Sequence, residues 1–209
     1  MKRAAVLALL VTAACPASTP APKAPTSNEP VRAEVLFERH LRAVGGSRAI
    51  EKLTGATLAF AIAYPDRGVE GTGRLTLSDG PAKLELDLAG IGKIEKTYED
   101  AWASDLHFDV HLAQHYTAAK TIGASQVDGI AVWEVEAKGP TGPVTLSFDK
   151  SAGVLLALRG EVETPEGKQT TSSRFADYQD FGGIRCARRI TQRTGERVQV
   201  IELRSIDQR

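Results

Sequence analysis

The spacing of apolar positions along this chain changes character three times. Residues 4–14 are apolar apart from Thr12 and follow the basic pair Lys2-Arg3. Between 16 and 30 bulky apolar side chains disappear. Over 33–44 the spacing turns helical, with Val35, Leu36, Leu41 and Val44 recurring as one stripe, and Gly45-Gly46 predicts the stop. Ser47 reads as the N-cap of a second short helix over 48–53, ended near Gly55. From residue 57 the period falls to two. Strands are predicted over 57–63, 71–78, 83–88, 130–137, 144–149, 154–163, 169–178, 184–191 and 197–204, with Asp79-Gly80-Pro81 and 149–153 as turn signals.

Alternation also assigns faces. Leu75 and Leu77 share one face of their strand, Leu84, Leu86 and Leu88 one face of the next, and Val144, Leu146 and Phe148 one face of a third. Thr145, Ser147, Glu134, Glu136 and Arg188 fall on the polar alternate positions, so the opposite face meets water. Many short strands at hairpin spacing predict a single meandering antiparallel sheet in an α+β domain. Its apolar face needs a cover, for which the first helix and the stretch around residues 106–116 are the candidates.

That middle stretch holds three of the four histidines. His107, His111 and His115 are four apart and would line one side of a helix. Imidazoles at that spacing can hold a divalent cation such as zinc. The glutamate of a His-Glu-x-x-His site is missing, however, and Leu106, Val110 and Ala113 give the same helix an apolar side. Two readings stay open: a lid helix with histidines at its wet border, sensitive to pH through them, and a metal site at His107, His111 and His115.

Charge narrows the partners. The 26 basic and 26 acidic side chains cancel, and without Lys2 and Arg3 the balance is −2, so nothing favours nucleic acid. Aromatic side chains are too sparse for base or sugar stacking. The apolar run at 4–14 is too short to span a bilayer, which takes roughly 20 residues. With its basic start and the small pair Ala13-Ala14 it reads as an export signal. Cys15 directly after that pair resembles the acylation site of a bacterial lipoprotein, although Thr12 stands where leucine is common. The resemblance implies cleavage before Cys15 and acylation of the new terminus by palmitate-type chains; the alternative is an ordinary secretory signal. Five of the ten prolines lie in 16–30, a composition that cannot bury enough surface to fold and is expected to serve as a tether. Residues 1–14 are thus predicted as signal, 15–30 as tether and 31–209 as one folded domain. The only other cysteine, Cys186, has no disulfide partner if Cys15 is acylated, and is expected in the core.

Residues 36–53, running through Leu41-Arg42-Ala43-Val44-Gly45-Gly46-Ser47, resemble the opening of the LolA/LolB-like outer-membrane lipoprotein-sorting superfamily. Val127-Asp128-Gly129 with the strands over 132–137 and 144–149, and Asp177-Tyr178 with Phe181-Gly182-Gly183-Ile184, resemble later strands of the same group. Ala187 stands where that family often has proline. The resemblance implies a strongly curved, incomplete antiparallel β-barrel wrapped around helices, with an apolar cavity for acyl chains between them. It brings no catalytic residues and no cofactor. No nucleophile elbow, phosphate loop, dinucleotide fingerprint or Cys-x-x-Cys occurs, so an enzyme is not expected.

Leu75, Leu77, Leu84, Leu86, Leu88, Val144, Leu146 and Phe148 are the candidate cavity lining, and they serve equally well as plain core. The expected function is a lipoprotein of the bacterial envelope, facing the periplasm and anchored in the outer membrane, that binds lipid or lipoprotein acyl chains. Its partners would be a hydrophobic ligand, the membrane through its anchor, and an envelope protein. The alternatives are a sensor or protein-interaction lipoprotein of the same fold, and a metal-binding protein using the histidine stripe.

Overall fold

The computed structural model describes residues 30–78, 81–99, 112–165 and 167–208. Its first helix, α1, spans Ala33–Ala43 and buries Ala33, Leu36, Phe37 and His40, an i, i+3, i+4, i+7 stripe. It stops as the sequence predicts. Gly45, at φ 114°, donates to the carbonyl of Arg42 at 3.2 Å, and Gly46 donates to that of Leu41 at 2.8 Å. These two bonds make a Schellman end, which satisfies carbonyls the helix leaves free. The second helix, α2, covers Ser47–Glu51, two residues shorter than predicted at its far end. Ser47 is its first helical residue and not its N-cap. Gly46 takes that place, its extended ψ of 175° already turning the chain, and no side chain caps the helix.

Among the described residues eleven strands follow in one antiparallel sheet. They are β1 (Thr57–Tyr64), β2 (Val69–Thr76), β3 (Ala82–Leu88), β4 (Gly92–Tyr98), β5 (Thr117–Val127), β6 (Ile130–Gly139), β7 (Gly142–Asp149), β8 (Leu155–Thr164), β9 (Gly167–Asp180), β10 (Arg185–Thr194) and β11 (Arg197–Asp207). A single turn of helix, α3 (Leu112–His115), precedes β5. The spatial order is β4-β3-β2-β1-β11-β10-β9-β8-β7-β6-β5. Two hairpin meanders are therefore joined by pairing of the first strand with the last, Thr57 opposite Asp207 and Ile62 opposite Ile201. β4 and β5, nearest along the chain at that point, stand at opposite edges, so the sheet is an open, incomplete barrel.

Register carries the core across this seam. Leu84 faces Leu75, and Leu75 faces Leu58. Ile62, Ile201, Ile190 and Phe175 form one row, and Ser173, Leu158, Leu146 and Val135 another. Such directly opposed pairs are what stabilise a sheet face. These rows join α1 and α2 in one buried cluster, which the predicted alternation required.

Both edge strands escape the sequence reading. β4 buries only Tyr98 of its seven residues and so shows no alternation. β5 is built of small and polar side chains, and its pairing with β6 slips between Thr117 and Lys120 and again between Thr121 and Gly123. Its exposed positions still alternate from Lys120 to Gln126, but the sheltered ones between them are Ala119, Thr121, Gly123 and Ser125, too small and polar to print an apolar pattern.

Candidate functional site

The candidate site is the inner face of the open barrel, where α1 lies against the sheet. All eight residues proposed from alternation reach one apolar cluster. Leu75, Leu84, Leu88, Val144, Leu146 and Phe148 are buried, while Leu77 and Leu86 are partly buried against them. Phe148 joins helix to sheet: its ring lies 5.8 Å from that of Phe37, tilted by 54°, and 6.0 Å from the His40 imidazole. The wall is almost free of polar groups. Among the described residues only His40, Ser147 and Ser173 are buried polar side chains.

His40 is the inner-face residue that alternation and motif missed. Its place on the Ala33, Leu36, Phe37 stripe was the available signal. His40 Nδ1 accepts the backbone N–H of Leu155 at 3.1 Å, and the carbonyl of Leu155 accepts the hydroxyl of Tyr178 at 2.5 Å. One residue at the start of β8, Leu155, is thus held from α1 through its N–H and from β9 through its carbonyl. An imidazole nitrogen that accepts carries no proton, so His40 is bound here as neutral imidazole. Burial pushes the Tyr178 phenol well above its usual range, with the neighbouring Cys186 adding to the shift. Burial likewise pushes the Cys186 thiol up to about 12, helped by Asp180. Cys186 is a buried free thiol, as expected of a core residue.

Space inside the wall is unequal. At β2 it is filled: a Cβ on Gly73 would stand 2.3 Å from the Phe60 ring, and one on Gly71 2.2 Å from the carbonyl oxygen of Asp87. Toward the β4 edge the row runs outward instead. Gly73 faces Leu86, Leu86 faces Ile94, and Ile94 is 41% exposed, with Ile91 at the adjacent turn 60% exposed. The apolar lining therefore reaches solvent at the rim beside β4.

His107 and His111 lie outside the described residues. His115 ends α3, half-buried. No group of three metal-ligating side chains occurs among the described residues.

The sheet order, its open edge and the helix on its inner face can be compared with known structures. A LolA superfamily protein from Nitrosomonas europaea superposes with a TM-score of 0.56, covering 86% of this chain and 94% of that chain at 16% identity. The chain has the LolA fold. A second structure, a domain described as an outer membrane lipoprotein-sorting protein from Vibrio parahaemolyticus, fits more loosely at TM-score 0.49 and 10% identity, over 83% of this chain and 93% of that one. No protein-family model and no curated protein matches the sequence. The LolA fold is thus carried by architecture, with the Gly45-Gly46 helix end and the hairpin strands standing where the sequence resemblance put them.

Proposed function

We propose that this protein is an envelope lipoprotein whose LolA-like half-barrel receives acyl chains of a lipid or lipoprotein along its inner face. The observation that carries the reading is the continuity of the lining from the buried core to the exposed Ile94. An apolar row ending in a rim open to water lets a chain slide in without crossing a polar barrier. No chemical step is assigned to the site. In this proposal residues 1–14 are removed as a signal, Cys15 bears the anchor and residues 16–30 are the tether of a domain beginning at 31. With Pro16 after the cysteine, we place it in the outer membrane.

Native mass spectrometry of the domain and titration with a fluorescent fatty acid test the reading together. Co-purified lipid, or saturable uptake, is expected. A clean protein mass with no uptake would refute it. The variant Leu86→Glu puts a charge on the half-buried step of the row and should weaken uptake by about tenfold or more.

A further inference from the structure

The two edges of the sheet are finished differently. β4 carries Lys93, Glu95 and Lys96 among its seven residues, the usual charged finish of an edge. β5, with eleven residues, has no carboxylate and one charge, Lys120, which faces Glu136 on the next strand in. Its exposed residues are Thr117, Ala118, Lys120, Ile122, Ala124 and Gln126. Ile122 is 45% exposed, and Ile130, paired with Val127 across the turn and so on the other face of this edge, is 43% exposed; the two flank the edge.

The amino-terminal segment meets the domain at this same edge. Val31 accepts a hydrogen bond from the hydroxyl of Thr121, the residue before Ile122. Only the fifteen residues 16–30 separate that point from Cys15, a reach of at most about 58 Å. A chain acylated at Cys15 would therefore hold β5 nearer the bilayer than any other strand has to be. At that range, side chains with little affinity of their own can dock, because the anchor supplies a high local concentration.

We infer that the β5 edge is a membrane-contact surface, with Ile122 and Ile130 seated in the headgroup region of the bilayer that holds the anchor. The inference rests on the anchoring proposed above. The Ile94 rim belongs to the other edge strand, β4, and takes no part in this contact.

The test uses the full mature protein, reconstituted in phosphatidylethanolamine–phosphatidylglycerol vesicles. An environment-sensitive fluorophore is placed at Ile122→Cys, Ile130→Cys or Ile94→Cys; the buried Cys186 thiol should resist labelling. Ala124→Cys, on the exposed side of β5 with Ile122, replaces any isoleucine variant that misfolds. Probes at 122 and 130 are expected to shift to the blue and lose most of their emission to doxyl-labelled lipid, while the probe at 94 does neither. Anchored protein whose 122 and 130 probes stay wet, or whose 94 probe is quenched equally, overturns the docking alone. Brightening that follows protein concentration without lipid quenching assigns the edge to a second copy, and also overturns it. An intact mass without acyl groups refutes the anchor, and the docking with it.

Discussion

Gly45 and Gly46 share a positive φ but not a neighbourhood. A Cβ at Gly45 would stand 2.4 Å from the carbonyl oxygen of Gly183, whereas one at Gly46 meets nothing within 4 Å. Gly46→Ala should therefore cost only backbone strain, about 2 kcal/mol, since φ 78° with ψ 175° is a conformation essentially reserved for glycine. Gly45→Ala should cost about 2 kcal/mol more, because backbone must move. Urea denaturation of the two variants reads the difference directly; equal losses would mean that the Gly183 approach is soft. Cys186 offers a second expectation at this scale. Burial pushes its thiol up to about 12 from the ordinary 9.0, so the folded state favours the neutral form. That contribution is whole below pH 9 and is lost as pH rises toward 12. Alkylation at pH 8 should be negligible in native protein and prompt in urea.

At the scale of elements, the β7–β8 connection is held by one side chain. Asp149 Oδ1 accepts the backbone N–H of Ser151 at 2.7 Å, its hydroxyl at 2.8 Å and the N–H of Ala152 at 2.9 Å. Burial alone would raise its pKa, but the Ala152 and Ser151 bonds outweigh that and hold the carboxyl below its usual 3.8. The stability this gives is present above about pH 4 and is lost as pH falls through the lower folded value. Asp149→Asn should cost about 1–2 kcal/mol at pH 7, a gap that closes in acid when both proteins are melted side by side.

The elements also show what was legible beforehand. α1 and the inner strands announced themselves because each buries one side against the other, which forces a period on the residues. The eight candidate lining residues came together for the same reason. β4 and β5 gave no sign, since an edge strand in water has no face that must be apolar. Whether the interior is open could not be read either: Phe60 and Leu86 look alike in an alternation pattern and both crowd Gly73, yet only Leu86 leads on to the rim. Ser47 misled because Gly46, directly before it, already stands at the cap.

At the scale of the molecule, the seam between β1 and β11 divides the sheet into a four-strand and a seven-strand meander. Removing β11 would leave β1 and β10 each with one open edge and strip Ile201 and Leu203 from the core. A chain ending at Gly195 should have no cooperative thermal transition, as circular dichroism would show; a sharp melt would mean that one meander folds alone.

The same seam sets a timetable. Thr57 cannot meet Asp207 until almost the whole chain exists. Contacts so distant along the sequence form slowly, because the loop must close before they reward it. A chain synthesised from its amino end therefore passes most of its making with this seam open. It remains threadable until its last strand arrives, the condition that a polypeptide must meet if it is to cross a membrane before it folds.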